Sequence, residues 1–381
     1  MIWLLASCEE KNIESTSVPS SPDLSYEMDT VLIQAEGEEL YLRMNLAMSD
    51  YSPHEGLLYN LVPEAGRVEV IDLNEHRLDT IIQYALRGPN SIKENYPSGI
   101  KKSILGDTYF SDFSVIHRIN PTGTKVETYK LNGRLLSGDK LPYETQIDGM
   151  GEIARDGSYF ASFYGKFRVG GNILGIAKVD LTKKSVKLIP INFWNELKEY
   201  NITVNYRLGR RSSSTELRYL TLNGPDIIFS TSATNEIWYY DAETDSVFRR
   251  KYQSSFTSDQ KKGDYIKEVT DQQSFEYWIA RKNEEVLFGP LVKDHESQKF
   301  YRFSRELDKN NPDKPNFIHV LTVFDAKLDQ THEVKLKSKI NLSGEYFAGK
   351  TFVHKGGIYS YFNLNNEMAF LRLTPDFETV D

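Results

Sequence analysis

The chain has 381 residues, a net charge of −8 from 54 acidic and 46 basic side chains, and a single cysteine. The acidic balance argues against general nucleic-acid binding, which requires a basic face, and one cysteine excludes an internal disulfide. Aromatic residues make up 12% of the chain, and this favours strands over helices.

The chain begins with a short apolar stretch that ends in its cysteine. The order Leu5-Ala6-Ser7-Cys8 places two small residues before that cysteine, and it resembles a bacterial lipobox. A lipoprotein signal peptidase admits only small side chains beside the bond that it cuts. Residues 1–5 are too short for a complete apolar region and have no basic residue before them, so we expect residues 1–8 to be a truncated lipoprotein signal. The resemblance implies lipidation of Cys8, and the alternative is an untethered N-terminus.

The segment after the cysteine is polar. Residues 9–25 have almost nothing to bury, which predicts a flexible linker. The acidic pair Glu9 and Glu10 resembles the export signal of surface-displayed lipoproteins in Bacteroidota. No later segment approaches the roughly 20 apolar residues of a membrane helix. We therefore expect a cell-envelope protein held to the outer membrane by lipid on Cys8, either periplasmic or exposed at the surface.

From residue 26 onward a pattern recurs that predicts β-hairpins. Its unit is an apolar strand, a turn that starts at a polar residue, and a second strand that usually resumes six residues later. Asp and Asn suit the start of the turn because their side chains accept hydrogen bonds from backbone amides two residues on. The six turn residues are Asp72, Asn120, Asp180, Asp241, Asp325 and Thr374.

Six similar hairpins predict an all-β fold, namely one six-bladed β-propeller domain over residues 26–381 with four short strands in each blade. The alternative is an irregular β-sandwich, although a sandwich rarely needs so many hairpins. A propeller must close its ring or leave an exposed edge. We therefore predict that an N-terminal strand, at residues 30–35 or 40–46, completes the final blade beside the C-terminal strands.

The longest interval between turn residues, from Asp241 to Asp325, contains a predicted insertion. Residues 270–288 have helical spacing, begin with a Thr-Asp capping signal and end before a Gly-Pro pair. The side chains expected to face the rest of the domain are Phe275, Trp278, Ile279 and the stem of Lys282. One interpretation is a helix packed on a face or the outer rim of the domain, and the other is a cap over the central channel.

These elements together resemble a known family. The lipobox, the six hairpins, the strand at 237–241 and the aromatic segment at 292–303 are similar to the uncharacterised six-bladed β-propeller lipoproteins of Bacteroidota, the domain-of-unknown-function 4221-like family. The resemblance covers nearly the whole chain. It implies a propeller fold and a place in the cell envelope, and it brings no catalytic residues.

The sequence carries no recognised catalytic signature. None of the seven histidines stands four positions from another, and the nucleophile-elbow, phosphate-loop and calcium-loop patterns are absent. We therefore predict no catalytic residue, no metal site and no cofactor. An enzymatic activity is the less favoured interpretation of this chain.

The ligand-binding candidates are of two kinds. Arg207, Arg210 and Arg211 flank a serine-rich loop, and guanidinium groups bind carboxylate or sulfate in bidentate fashion; the alternative is a solvated loop between strands. Trp238 and Tyr164 are candidates to stack on sugar rings near the channel, and the alternative is that they pack in the core between blades.

The predicted function is non-enzymatic binding of a glycan, a peptide or an envelope protein by the propeller of a lipoprotein. One alternative is a propeller-type hydrolase or lyase that acts on a carbohydrate or lactone at the central channel, which would need clustered carboxylates, histidines or bound calcium there. Another is a structural subunit of an envelope assembly, which would need a wide apolar patch. Propellers host many unrelated functions, so the fold alone does not decide among these.

Overall fold

The computed structural model describes residues 11–12, 24–94, 96–167, 171–309, 316–337 and 349–377. Within these ranges the chain is all-β, with seven sheets and a single α-helix, α1, at Gln272–Glu284. Short 3-10 helices lie at Arg43–Leu46, Asn192–Tyr200 and Arg207–Gly209. In this part of the chain no helix combines the length and apolar character needed to span a bilayer. The predicted signal at 1–8 and most of the predicted linker at 9–25 lie outside the described residues.

Sheets A and B are antiparallel meanders in which each strand pairs with the next along the chain. Sheet A consists of Asp50–Ser52, Leu57–Val62, Arg67–Asp72 and Arg77–Gln83. Sheet B consists of Gly99–Lys102, Thr108–Asp112, Val115–Ile119 and Lys125–Lys130.

Sheet C has three long antiparallel strands and three short additions. The long strands are Tyr159–Gly165, Ile173–Asp180 and Ser185–Pro190. The short strands that pair with the first long strand are Gln146–Ile147 and Glu152–Ile153. The short strand that runs parallel to the last long strand is Ser137–Gly138.

Sheets D and E are also built around antiparallel meanders. Sheet D consists of Arg218–Asn223, Asp226–Thr231, Glu236–Asp241 and Ser246–Lys251, with Lys11–Asn12 parallel to its last strand. Sheet E consists of Leu287–Phe288, Val292–Lys293, Phe300–Leu307, Phe317–Phe324 and Gln330–Lys335. Its first two strands are short, and both pair with the third.

Sheet F and a smaller sheet complete the set. Sheet F consists, in spatial order, of Leu24–Leu32, Glu367–Phe377, Gly357–Leu364 and Thr351–His354. The small sheet consists of Ile202–Asn205, Arg211–Ser214 and Glu268–Val269.

Five of the six predicted hairpins are confirmed, and their hydrogen bonds show why the sequence reveals them. Asp72 Oδ1 accepts from the backbone N–H groups of Asn74 and Glu75 at 2.7 and 3.1 Å. Equivalent side-chain bonds to the turn backbone occur at Asn120, Asp180, Asp241 and Asp325. Each side chain satisfies turn donors that the strand ladder cannot reach.

The sixth predicted hairpin, at Thr374, is wrong. Glu367–Phe377 is one uninterrupted strand, and residues 378–381 lie outside the described part of the chain. The turn that joins Gly357–Leu364 to Glu367–Phe377 lies instead at Asn365 and Asn366, both at positive φ, as a two-residue hairpin requires. Thr374 lacks the carboxylate or amide oxygen that fixes the other five turns, so the strand continues through it.

The predicted pairing of an N-terminal strand with the C-terminal strands is confirmed in sheet F. Leu24–Leu32 pairs with Glu367–Phe377, so an N-terminal strand forms the edge of the C-terminal sheet. The strand overlaps the predicted segment 30–35 and begins inside the predicted linker. The other predicted closing segment, 40–46, contains a 3-10 helix instead of a strand.

Helix α1 confirms the predicted insertion. Asp271 caps it by accepting a backbone N–H of its first turn at 2.8 Å. Phe275 is buried, and Trp278 and Ile279 pack half-buried against the small sheet. Lys282 is buried along its whole length, beyond the stem that the sequence suggested. The helix therefore packs on the small sheet, and the choice between a rim helix and a cap over a channel stays a prediction.

The described chain divides into two compact units. One unit contains sheets A, B, C and F, in which clusters of buried apolar side chains join F to A, A to B and B to C. The other contains sheets D and E, the small sheet and α1. Here one cluster joins D to E, and another joins α1 to the small sheet. A single domain over residues 26–381 stays a prediction.

Candidate functional site

Five charged side chains from sheets A, B, C and F lie together in one of the two units. Asp50 begins sheet A, and Lys101 lies in the first strand of sheet B. Glu152 lies on a short strand of sheet C, and Arg155 lies in the turn that follows. Lys350 directly precedes the first strand of sheet F. These five residues are called the charge cluster below.

Asp50 is the centre of the charge cluster, and its side chain is only 1% exposed. Its carboxylate accepts from the two Nη atoms of Arg155 at 2.6 and 3.3 Å and from the Lys102 N–H at 2.9 Å. Lys101 Nζ lies 3.6 Å away. Burial alone would raise the pKa of Asp50, but Arg155 and then Lys101 outweigh it and lower the pKa to about 2. The ionised carboxylate thus joins three sheets.

The two cations beside this carboxylate keep contact with solvent. Arg155 is 34% exposed, and it also donates to the backbone carbonyls of Tyr51 and Lys102 at 2.6 and 3.2 Å. Lys101 is less exposed and forms a 2.6 Å ion pair with Glu152. A guanidinium group, an amine and a carboxylate are therefore accessible at the rim of the cluster.

Lys350 is the cation of the cluster whose charge is least compensated. Its Nζ donates to the backbone carbonyl of Ser49 at 2.9 Å, and the ion pairs found among the described residues do not include it. Burial, followed by repulsion from Lys101, lowers the pKa of Lys350 to about 8. The attraction of an anion bound at this half-buried amine would oppose both effects.

A strained turn in the backbone places residues beside the cluster. Met44, Asn45 and Leu46 all have positive φ, at 55°, 49° and 58°, a conformation that costs free energy in residues other than glycine. The carbonyl of Asn45 accepts the N–H of Lys350 at 2.9 Å. The carbonyl of Leu46 accepts the hydroxyl of Ser49 at 2.6 Å. The turn thus fixes the backbone of Lys350, which carries the amine, and that of Ser49, whose carbonyl accepts a hydrogen bond from the amine.

The charge cluster is positive within an acidic protein. Three cations against two carboxylates leave a formal charge of +1, whereas the whole chain carries −8. Guanidinium and ammonium groups are strong, directed donors to oxyanions, and the guanidinium fork matches a carboxylate in bidentate fashion. The arrangement is suited to hold an anionic group. Among the described residues, no three His, Cys, Asp or Glu side chains are grouped so as to hold a metal ion.

The basic loop predicted from the sequence forms one exposed hairpin. Arg207, Arg210 and Arg211 lie at the connection between two strands of the small sheet, and all three side chains are exposed. Ligand binding by this loop stays a prediction. Cys8, the predicted lipidation site, lies outside the described residues.

The two aromatic candidates lie in the core. Trp238 is 1% exposed and stacks on Phe229 with ring centroids 6.0 Å apart, while the Arg249 guanidinium lies 5.4 Å from the Trp238 ring centre. Tyr164 is buried in the cluster that joins sheets B and C. Because packing covers both rings, neither offers a face to a sugar. The prediction that these rings stack on a sugar is therefore corrected: both pack in the core.

No short motif joins the members of the charge cluster, and sequence reasoning missed all five. They are spread from position 50 to position 350, and only pairing between distant strands brings them together. One signal was available: Asp50, Lys101 and Lys350 each lie in or directly before the first strand of a meander.

Comparisons with known proteins agree with this architecture. The model of the family described as domain of unknown function DUF4221 matches residues 20–335. The crystal structure of a DUF4221 family member from Bacteroides vulgatus has a TM-score of 0.62 at 14% identity, covering 93% of this chain and 99% of that one. This likeness shows a shared fold.

Two further structures are less similar. A protein described as exported from Bacteroides fragilis has a TM-score of 0.45 at 9% identity, covering 97% of this chain and 99% of that one. The calcium-binding protein regucalcin from Agrobacterium tumefaciens has a TM-score of 0.40 at 9% identity, covering 91% and 98%. Both are too distant to carry an argument. No curated protein matches the chain.

Proposed function

Since the chain belongs to the DUF4221 family, a domain of unknown function, we propose its function from the charge cluster: non-enzymatic binding of a ligand that carries a carboxylate. The observation that carries the proposal is the Lys350 amine, which has no carboxylate partner among the described residues, in a cluster of net positive charge. A ligand carboxylate would supply that partner and accept further hydrogen bonds from Arg155. The hydrolase or lyase alternative has no comparable observation in its favour.

We further propose that sheets A to F are the six blades of one β-propeller. Each sheet has at least four strands, three or more of them in an antiparallel meander, and both ends of the chain contribute to sheet F. Shared apolar clusters join F to A, A to B, B to C and D to E. In a propeller the first strand of each blade lines a central channel. The charge cluster would then lie in that channel.

The proposed location is the cell envelope, with a lipid anchor on Cys8. The order Leu5-Ala6-Ser7-Cys8 and the polar tract after it support this location. The chain is expressed behind a complete lipoprotein signal peptide in a Bacteroidota host. The Cys8→Ser precursor is then expected to be absent from the membrane fraction, because an acylated cysteine is the only membrane anchor predicted. Fractionation and immunoblotting measure this. Equal membrane retention of both proteins would contradict the anchor.

Replacement of Lys350 tests the proposed binding site. We expect trigalacturonate to bind the full chain and Lys350→Gln to weaken binding at least tenfold, about 1.4 kcal/mol, in isothermal titration calorimetry. Binding requires the protonated amine, whose pKa is about 8. The affinity of the native protein should therefore fall as the pH rises from about 7 to about 9. The Lys350→Arg variant should bind without this pH dependence.

The matched control is Lys355→Gln, which removes an exposed amine from the first turn of the same sheet. We expect unchanged affinity. Unfolding of each variant without ligand shows whether it is folded. Equal loss of binding in both variants, or no binding of trigalacturonate to the native protein, would contradict the proposed function.

A further inference from the structure

The connection between sheets B and C forms a concave site apart from the charge cluster. Residues 131–147 fold over a cleft of about 1120 Å³, called the loop cleft below. Phe113 and Ser114, from a turn of sheet B, complete its wall. The volume lies just above the roughly 300–1,000 Å³ typical of small-molecule sites. The loop cleft shares no residue with the charge cluster.

The walls of the loop cleft are held in place by the sheets on either side. Ser137–Gly138 pairs with Ser185–Pro190 at the edge of sheet C. The carboxylate of Asp139 accepts a backbone N–H of sheet C at 2.8 Å. Leu136 and Leu141 pack against the buried cluster that joins sheets B and C. The cleft is therefore formed before any ligand arrives, which lowers the entropic cost of binding.

Two aromatic rings of the lining face solvent. Tyr143 is 87% exposed and Phe113 is 59% exposed. Phe113 has a φ of 27°, a backbone conformation that is costly for a bulky residue. Gly149 permits it, because a Cβ at Gly149 would lie 2.3 Å from the Phe113 carbonyl oxygen. The fold thus maintains a strained turn that displays an apolar ring, and such strain is concentrated at functional sites.

The remaining lining is polar and balanced in charge. The two cations are Arg134 and Lys140, and the two anions are Asp139 and Glu144. The side-chain amide of Gln146 adds both a donor and an acceptor. The formal charges of the lining sum to zero, in contrast to the charge cluster with its formal charge of +1, and Glu144 is paired with Lys166 at 3.1 Å.

We propose that the loop cleft binds a neutral oligosaccharide. A sugar ring has an apolar face of C–H groups that stacks on an aromatic ring, and Tyr143 and Phe113 supply two such rings. Its hydroxyl groups both donate and accept hydrogen bonds, as the charge-balanced polar lining requires. The proposal is independent of the proposed function, because it concerns different residues and an uncharged ligand.

The test is a titration of the full chain with maltohexaose, cellohexaose, xylohexaose and mannohexaose, each followed by isothermal titration calorimetry. We expect at least one of them to bind. Tyr143→Ala should weaken that binding at least tenfold, whereas Tyr143→Phe should retain it because the ring remains. The matched control is Tyr277→Ala, which removes an exposed tyrosine from α1 and should leave affinity unchanged.

Three outcomes would overturn the proposal. The first is that none of the four hexasaccharides binds at millimolar concentration. The second is that Tyr143→Ala and Phe113→Ala both bind with native affinity. The third is that Lys350→Gln abolishes sugar binding whereas Tyr143→Ala binds the sugar with native affinity, which would place the glycan at the charge cluster. Unaltered melting temperatures show that the variants are folded.

Discussion

Replacement of Asp50 by alanine is expected to lower the free energy of unfolding by about 3 kcal/mol. The substitution leaves Arg155 and Lys101 without the buried carboxylate that they contact. Removal of one partner from a buried ion pair usually costs roughly 3–5 kcal/mol. We expect the lower end of that range, because both cations retain some exposure and Lys101 keeps its ion pair with Glu152. Urea denaturation measures the difference.

The contribution of Asp50 should also depend on pH. Its folded-state pKa of about 2 lies below the ordinary value near 4, so the ionised carboxylate stabilises the fold above about pH 4. This stabilisation, roughly 2 kcal/mol, is lost as the pH falls toward about 2. The difference in stability between the native protein and Asp50→Asn should therefore shrink between about pH 4 and pH 2.

The matched control for Asp50 is Asp79→Asn. Asp79 lies in the same sheet, and its exposed carboxylate is 3.9 Å from Arg77. Exposed pairs of this kind contribute little, so we expect a change below about 0.5 kcal/mol. A cost for Asp50→Ala no greater than that of Asp79→Asn would show that the charge cluster does not join sheets A, B and C.

Replacement of Glu216 by alanine is expected to cost roughly 3–5 kcal/mol in the other unit. Glu216 is buried, and its carboxylate lies 2.7 Å from Lys282 Nζ and 3.3 Å from Lys261 Nζ. Burial alone would raise the pKa of Glu216, but Lys261 and Lys282 outweigh it and hold the pKa below its usual value. Without the carboxylate, two buried amines would lack their counter-charge.

Because Lys282 belongs to α1, the loss of Glu216 should weaken the attachment of the helix. Urea denaturation followed by circular dichroism measures the stability of the variant. The matched control is Glu284→Ala, which breaks the exposed 3.0 Å pair with Arg281 on the same helix and should cost no more than about 0.5 kcal/mol. Similar denaturation midpoints for the two variants would contradict a buried carboxylate that anchors the helix.

The parts of the fold that the sequence predicted correctly depend on local chemistry. A turn residue such as Asp72 forms its hydrogen bonds within three residues, so its effect is visible in a short stretch of sequence. The helix cap at Asp271 is equally local. The error at Thr374 has a long-range cause besides the missing carboxylate, because the strand Glu367–Phe377 is paired with Leu24–Leu32 from the opposite end of the chain.

The candidate site was beyond local prediction for the same reason. Asp50 and Arg155 are separated by 105 residues, and the register of strands in three sheets decides that they meet. Trp238 and Tyr164 were predicted incorrectly for a related reason. Side chains alternate between the two faces of a sheet, and the sequence does not reveal that Trp238 lies on a covered face, where its ring stacks on Phe229.

The most direct test of the central claim is a crystal structure of the full chain with trigalacturonate bound. We predict a ligand carboxylate within about 3.2 Å of Lys350 Nζ or of the Arg155 guanidinium, in the channel of a six-bladed ring. A carboxylate held by Arg207, Arg210 and Arg211, with the charge cluster unoccupied, would contradict the proposed function. A different number of blades around the channel would contradict the proposed fold.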